Sequence, residues 1–233
     1  YTLDQISNAI TQKTSAFFEP ALDYIVIKIP RWDIHKLKSA DRTIGTEMKS
    51  VGEVMAIGRS FPEALQKAIR MLNIGSLGIE HPPEPLEDLA GHICRPTDRR
   101  LFALYQYFLQ QGTIEDAHDM SLIDRWFLHH IQALAVFAEE LKREKLTAPF
   151  LNKAKKLGFS DASIAKTKQI KESDVRALRK KWKILPYVKQ IDTLAGEFEA
   201  ETNYLYTTYW AQEHDIEPSR KKPYIVIGSG PYC

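Results

Sequence analysis

The segment from residue 97 to residue 208 restricts the possible folds most, because it carries helical periodicity and almost no strand signal. Apolar residues recur three and four positions apart in at least five stretches, which places them on one face of an α-helix. Residues that favour a helix N-terminus precede these stretches. The predicted starts lie at Thr113, at Ser121 with Asp124, at Thr147, at Ser160 and at Ser173. The sequence therefore predicts a helical domain in this segment.

The first part of the chain has a different pattern, in which strand signals alternate with helical ones. The runs Asp23–Ile29 and Gly52–Gly58 predict strands, and the first is expected to stop at Pro30 because proline lacks a backbone N–H. Ser60 can cap the helix that follows, and Glu63 can complete a capping box with it. Apolar residues continue at helical spacing after Glu63. A β-then-α organisation follows for this part.

Two further stretches indicate boundaries. Glycines and prolines interrupt any long periodic pattern from Gly75 to Pro96, as expected of a linker between folding units. Much later, the apolar run Tyr224–Ile227 precedes Gly228–Gly230, an order typical of the first strand of a nucleotide-binding α/β unit. The glycine pair alone is a weak signal, and one strand cannot form a domain. We therefore expect the chain to be part of a longer protein.

The formal net charge of +2 hides a strongly basic segment, Lys142–Lys183. This segment holds 14 Lys or Arg against 4 Asp or Glu, a local charge of +10, so the remaining residues sum to −8. Two short predicted helices within it have the outline of a helix-turn-helix. The second helix carries no Asn or Gln that could read bases, so a charged surface is the preferred interpretation and nucleic-acid binding is the alternative. The cations expected to be exposed on that helix are Arg176, Arg179, Lys180 and Lys181.

Side chains suited to metal binding or nucleophilic catalysis are scattered. His129 and His130 are adjacent on a predicted helix and point about 100° apart, which disfavours a shared metal ion. Cys94 lies in the proline-rich stretch, without an ordered partner to activate its thiol. Two cysteines are too few for a disulfide framework, and the apolar run Ala133–Ala138 is too short to span a bilayer. We therefore expect an intracellular protein. Of the intracellular compartments, we predict the cytoplasm rather than the mitochondrion.

The turn Lys49–Glu53 places a cation, a hydroxyl and a carboxylate beside Gly52, directly before a predicted buried strand. Such a set can belong to a catalytic loop. A tight glycine turn at the entry of a strand also accounts for it, and chemistry alone favours this structural role.

The segment Met48–Arg59 closely resembles the large subunit, or synthetase region, of carbamoyl-phosphate synthetases. The resemblance includes Phe18–Pro20 before it, and Ile123–Phe127, Lys156–Asp161 and Asn203–Tyr209 after it. These segments occur in the same order as in the family and cover essentially the whole chain. The chain is therefore expected to be an internal fragment of such a subunit.

The resemblance implies a mainly α fold made of several pieces. Residues 1–80 resemble the C-terminal, α+β part of the first ATP-grasp domain, which in the family makes carboxyphosphate and then carbamate. Residues 84–208 resemble the helical oligomerisation domain, which is not catalytic. Residues 209–222 are then a linker, and residues 223–233 resemble the first strand of the α/β second synthetase half, whose ATP-grasp domain phosphorylates carbamate.

The family makes carbamoyl phosphate from bicarbonate, ammonia taken from glutamine, and two molecules of ATP. By the resemblance, the residues that bind nucleotide and metal precede Tyr1 or follow Cys233. No catalytic, cofactor-binding or metal-binding residue is therefore predicted here, and the fragment is expected to bind no cofactor, although the family uses ATP with Mg or Mn. Four residues match a family motif, and we predict that they shape the domain. They are Lys49, Ser50, Glu53 and Arg59.

The resemblance also implies a scaffold that holds two ATP-grasp units at a fixed separation, so that carbamate travels between them without meeting water. The expected partners are the remainder of the large subunit, a glutamine amidotransferase subunit or domain, and further copies of the chain, with no nucleic acid and no membrane. The residues do not distinguish between arginine, urea and pyrimidine synthesis. Oligomer contacts favour aromatic anchors. The candidate anchors are Trp126, Phe127, Trp182 and Tyr187.

Overall fold

The computed structural model describes residues 1–36, 39–217 and 224–228. These residues form eight α-helices and four strands, which confirms the predicted mainly α fold. The strands are β1 (Ile25–Arg31), β2 (Gly52–Gly58), β3 (Tyr187–Gln190) and β4 (Leu205–Thr208). The helices are α1 (Phe61–Met71), α2 (Leu89–Cys94), α3 (Arg100–Leu109), α4 (Ile114–Ser121), α5 (Arg125–Arg143), α6 (Ala148–Lys156), α7 (Asp161–Lys168) and α8 (Glu172–Lys181).

Strands β1 and β2 form a two-stranded antiparallel sheet, in which Ile25 lies opposite Gly58 and Arg31 lies opposite Gly52. The prediction that the first strand stops at Pro30 is wrong, because β1 continues through Pro30 to Arg31. Each strand of a two-stranded sheet has one unpaired edge, and proline is tolerated where its missing N–H would point to that edge.

Helix α1 begins as the sequence predicts and joins two packing units. The Ser60 hydroxyl accepts a hydrogen bond from the N–H of Glu63 at 3.3 Å, which caps the helix. One side of α1 packs on the β1–β2 sheet through Ala68 and Leu72. Another side buries Leu65 and Ile69 in the core of the helical domain. The β-then-α unit therefore shares its core with the helices that follow.

The core of the helical domain lies around α5, the longest helix. α5 buries Leu128, Leu134 and Leu141 completely, and α3 packs along it. Phe159, between α6 and α7, is the largest side chain that is fully buried. Removal of such apolar surface from water is the main source of stability, at about 25 cal/mol per Å².

Two predicted helix starts are wrong. Ser121 ends α4, where its hydroxyl donates to the carbonyl of Ala117 at 2.6 Å, and Asp124 alone caps α5 by accepting from the N–H of Trp126 at 2.8 Å. Ser173 lies inside α8, which begins after Lys171. The acidic side chains in the first turn of α8 interact favourably with the helix dipole, so α8 does not depend on a capping serine.

The pattern between residues 97 and 208 did not indicate the two short strands that the structure has there. β3 and β4 pair antiparallel, with Tyr187 opposite Thr208 and Gln190 opposite Leu205. Each strand has four residues, too few to produce a clear alternation.

The proline-rich stretch Gly75–Pro96 is not an exposed linker. Ile79 is completely buried in the helical core, and α2 forms within the stretch and packs on α3. The position of the domain boundary stays a prediction.

The strand predicted over Tyr224–Ile227 forms no ladder with any described residue, and its four side chains are exposed. Strand pairing requires a neighbour, and none lies beside this run in the described part of the chain. The predicted glycine turn after position 228 lies outside the described residues, as do residues 218–222 of the predicted linker and the cysteine at position 233. Within residues 1–36, 39–217 and 224–228, no helix is both long and apolar enough to cross a membrane.

Candidate functional site

Hydrogen bonds and ion pairs connect α1, β4 and the helical domain at one junction. Its centre is the carboxylate of Glu63, which is 1% exposed. Oε2 accepts hydrogen bonds from the Arg59 N–H and from the Thr208 hydroxyl, both at 2.9 Å. Oε1 lies 2.9 Å from Lys67 Nζ in a geometry too poor for a hydrogen bond, so this contact is an ion pair. Glu63 therefore joins α1 to β4 across most of the sequence.

Lys67 provides a second link between the same elements. Its Nζ donates to the carbonyl of Ile57 in β2 at 2.8 Å and to the carbonyl of Thr207 in β4 at 2.6 Å. Burial lowers the pKa of Lys67, and the negative charge of Glu63 opposes this shift. One ammonium group thus holds two strands that belong to different sheets.

Arg59 adds a third link. Its Nε donates to the hydroxyl oxygen of Tyr206 at 3.2 Å, and its Nη2 pairs with Asp23. Burial raises the pKa of Tyr206, and Arg59 opposes that rise. Together with Glu63 and Lys67, this contact fastens the chain after the helices to the unit before them.

The other side of α1 is fastened to the helical domain. Arg70 Nη1 donates to the carbonyl of Gly158 at 2.7 Å. Gln66 Nε2 donates to Glu80 at 2.8 Å, and the hydroxyl of Ser163 at the start of α7 donates to the same carboxylate. Gln66 Oε1 also accepts from the N–H of Ile79 at 2.8 Å. The relative position of α1, α6 and α7 is therefore fixed by polar contacts as well as by the shared core.

A buried cluster of charges lies beside this junction. Lys155 Nζ donates to Asp161 Oδ1 at 2.8 Å and to the Phe159 carbonyl at 2.7 Å, while Arg179 Nε donates to Asp161 Oδ2 at 3.1 Å. Both cations also lie against the ring of Tyr209. Burial lowers the pKa of Lys155 to about 8, and Asp161 offsets this only in part. Burial works to raise the pKa of Asp161, but the two cations outweigh it and the pKa is lowered.

The four residues of the predicted shaping motif separate into two groups. Lys49 Nζ donates to the Thr43 carbonyl at 2.7 Å and lies 2.9 Å from Glu47, so it holds the turn before β2. Glu53 is exposed and pairs with Lys28 across the sheet at 2.6 Å. Ser50 is half-buried in the same turn. Arg59 alone reaches the junction described above. Their role in shaping the domain stays a prediction.

The candidate interface anchors also differ in exposure. Trp126 and Phe127 are 50% and 43% exposed at the start of α5, where both rings pack on Phe61. Trp182 packs against the helical core, and Tyr187 stacks against His214 at a ring distance of 5.2 Å. The first pair is available to a partner, whereas the second pair is engaged within the chain. Interface roles for all four stay predictions.

The predicted basic helix pair exists as α7 and α8. The prediction that Arg179 is exposed on the second helix is wrong. The Arg179 side chain is 12% exposed because it turns inward to Asp161. Arg176, Lys180 and Lys181 are exposed, as predicted. His130 packs on Trp126 at 4.3 Å, and burial lowers its pKa, with His129 adding to the effect. In the described part of the chain, no three His, Cys, Asp or Glu side chains lie together as a metal site would require.

Sequence reasoning missed the roles of Glu63, Lys67 and Arg70. Glu63 was predicted to complete a capping box with Ser60, but its carboxylate accepts from the N–H of Arg59 instead. A pattern can place Glu63 and Lys67 one turn apart on α1. Nothing in the pattern indicates that β4 returns to the same place.

The chain matches the family model "Carbamoyl-phosphate synthetase large chain, oligomerisation domain" over residues 53–183, more than half of its length. It is 45% identical over 231 residues to the carbamoyl phosphate synthase large chain of Thermotoga neapolitana, with 99% of this chain and 21% of the relative covered. It is 47% identical over 237 residues to the arginine-specific mitochondrial large chain of Schizosaccharomyces pombe, with 100% of this chain and 20% of the relative covered.

The helical fold and these matches together place the protein among large multidomain synthetase chains. The chain belongs to the carbamoyl-phosphate synthetase large chain family, which confirms the family predicted from Met48–Arg59. It spans about a fifth of the length of the curated relatives that it matches.

Proposed function

We propose that this chain is a non-catalytic scaffold within a longer enzyme that makes carbamoyl phosphate from bicarbonate, glutamine-derived ammonia and ATP. The observation that carries the proposal is the Glu63 junction, where β4 returns to α1 and β2 after the seven helices α2 to α8. Such a closed arrangement holds whatever precedes β1 and whatever follows β4 at a defined separation. A defined separation serves transfer of unstable carbamate between two ATP-dependent sites.

The proposal includes the expected partners: the rest of the large subunit, a glutamine amidotransferase subunit or domain, and further copies of the chain. ATP with Mg or Mn belongs to the longer enzyme. The similarity to the arginine-specific large chain of S. pombe favours an arginine-specific role. An intracellular location suits this activity, and the S. pombe relative is a mitochondrial protein.

Thr208→Val tests the junction. It replaces the hydroxyl that donates a hydrogen bond to Glu63 with a methyl group of similar size. We expect a loss of about 1.5–3 kcal/mol in the free energy of unfolding, the usual contribution of a hydrogen bond to a charged group. In the full-length enzyme we expect less carbamoyl phosphate per ATP hydrolysed, because a looser junction lets carbamate escape. Urea unfolding measures the change in free energy. The ratio of carbamoyl phosphate formed to ATP hydrolysed measures the escape of carbamate.

Thr207→Val is the matched control for Thr208→Val, because Thr207 is the preceding residue of β4 and is exposed. We expect it to change neither stability nor the product ratio. An unchanged ratio in a destabilised Thr208→Val enzyme would contradict the proposed role of the junction. Carbamoyl phosphate formation by the 233-residue chain alone would contradict the non-catalytic role.

Trp126→Ala tests the expected contact between copies. Trp126 lies next to exposed Phe127, and Leu122 nearby is 82% exposed, so the start of α5 presents an apolar surface. We expect the variant to shift the full-length enzyme toward smaller species in sedimentation velocity, because aromatic anchors dominate such contacts. Trp210→Ala is the control, since Trp210 is 43% exposed elsewhere on the chain. If Trp126→Ala sediments like the unsubstituted enzyme, this surface is not the contact between copies.

A further inference from the structure

A cleft of about 670 Å³ opens between the β1–β2 unit and the helical domain. Its floor is apolar and includes Ile69 and Leu72 of α1, Leu104 of α3 and Ile131 of α5. Small-molecule sites are concave, largely apolar and about 300–1,000 Å³ in volume, with a few polar groups that fix orientation. The cleft has the size and the lining of such a site.

The lining of the cleft is rich in cationic side chains, of which Lys28 pairs with Glu53 and Arg31 with Asp33. Five cationic side chains border the cleft, against two carboxylates. Burial lowers the pKa of Arg99, and repulsion from Arg42 lowers it further. These two cations therefore lie close enough to repel each other. The cations are Lys28, Arg31, Arg42, Arg99 and Arg100, and the carboxylates are Glu84 and Asp98.

Arg100 differs from the other arginines that line the cleft. Arg42 Nε donates to Asp98 at 3.0 Å, and Arg99 pairs with Glu84. Arg100 instead donates to two carbonyl oxygens, those of Ile93 at 2.8 Å and Cys94 at 3.0 Å. Among the residues that the structure describes, no carboxylate pairs with it. A guanidinium group has five N–H donors, so Arg100 keeps the capacity to bind an anion beside the apolar floor.

We propose that this cleft binds a small anion with an apolar body, such as a medium-chain carboxylate. The anionic head lies at Arg100, and the apolar body lies along Ile69, Leu72 and Leu104. The ligand contacts β1 and α1 on one side and α3 and α5 on the other. Its binding therefore stabilises the arrangement of the two units, because a ligand that binds only the assembled form shifts the equilibrium toward it.

Titration calorimetry on the full-length enzyme tests the proposal, with decanoate as the probe. Decyltrimethylammonium and decanol are the matched cationic and neutral probes. We expect saturable binding of one decanoate per chain, and binding of the cation weaker by about tenfold or more, because a hydrogen bond to a charged group contributes about that factor. We also expect decanoate to raise the thermal midpoint of unfolding.

Two substitutions locate the site. Arg100→Gln is expected to weaken the binding of decanoate about tenfold and to leave the binding of decanol unchanged. Arg100→Lys is expected to keep the preference for decanoate over the cationic probe. Leu101→Trp fills the cleft from α3 and is expected to abolish binding of both probes. Leu109→Trp is its control, because Leu109 lies on the same helix, is equally half-buried and does not line the cleft.

Three results would overturn the proposal. One is equal affinity for decanoate and the cationic probe in the unsubstituted chain. Another is binding that survives Leu101→Trp. The third is the absence of saturable decanoate binding, which includes the case in which another part of the longer chain fills the cleft.

Discussion

Replacement of Asp161 by asparagine is expected to lower the free energy of unfolding by about 3–5 kcal/mol, the usual cost of removing one partner from a buried ion pair. Asp161 is the single carboxylate between Lys155 and Arg179, and its side chain is 12% exposed. Its loss leaves two buried cations close together beside the ring of Tyr209, without the carboxylate that pairs with both. Urea unfolding measured near neutral pH gives the change directly.

The pH dependence of stability provides an independent check on this cluster. Burial lowers the pKa of Lys155 to about 8 from its usual 10.5. Between these two values the unfolded lysine still holds a proton that the folded lysine has released, so the contribution of Lys155 to stability rises with pH. Asp161→Asn lowers the pKa of Lys155 further, and the rise is expected to begin at a lower pH than in the unsubstituted chain.

Asp174→Asn is the control for Asp161→Asn, because Asp174 also lies in the first turn of a helix but is exposed. It removes the same charge from a helix N-terminus and is expected to cost no more than about 0.3–1 kcal/mol. Similar losses for the two variants would mean that the buried pairing of Asp161 is unimportant.

The second large effect is expected for Gly158→Ala. Gly158 has a φ of +88°, and an added Cβ would lie 2.8 Å from the Gln66 Cβ and 3.0 Å from the Glu63 Cα of α1. A left-handed conformation costs a residue with a side chain about 1–2 kcal/mol, and overpacking adds about 1–3 kcal/mol. We expect a loss of about 3 kcal/mol, measured by urea unfolding.

Gly75→Ala separates the two causes. Gly75 has a φ of +80°, nearly the same as Gly158, but an added Cβ would have nothing within 4 Å. Its expected cost is therefore the backbone strain alone, about 1–2 kcal/mol. Equal losses at both positions would show that α1 moves away from the α6–α7 turn without cost.

The helices were predictable where local chemistry alone places them. Ser60, Thr113 and Ser160 cap the helices predicted to follow them, because a hydroxyl one residue before an apolar periodic run has few other partners. Ser173 misled the prediction, since the chain turns sharply at Gln169, where φ is +54°, and α8 starts earlier than its serine. β3 and β4 were missed because four-residue strands leave no readable period.

The junction could be predicted only in part. The resemblance at Met48–Arg59 gave the family correctly, and Arg59 proved to reach β4. Glu63 could be predicted as a helix-start residue, but its burial depends on Thr208, which is 145 positions away in the sequence. Contacts at such separation leave no local periodicity, so their partners cannot be paired from one sequence.

The Lys67 bridge between β2 and β4 also determines how the protein would respond to tension. If force were applied between β1 and the residues after β4, it would pass through the ammonium group of Lys67 and the carboxylate of Glu63. Helices α2 to α8 would lie outside the line of force, in a loop closed at its base. Changes of length within that loop would leave the distance between β2 and β4 unchanged, so the helical domain can vary without altering the spacing of the units that flank it.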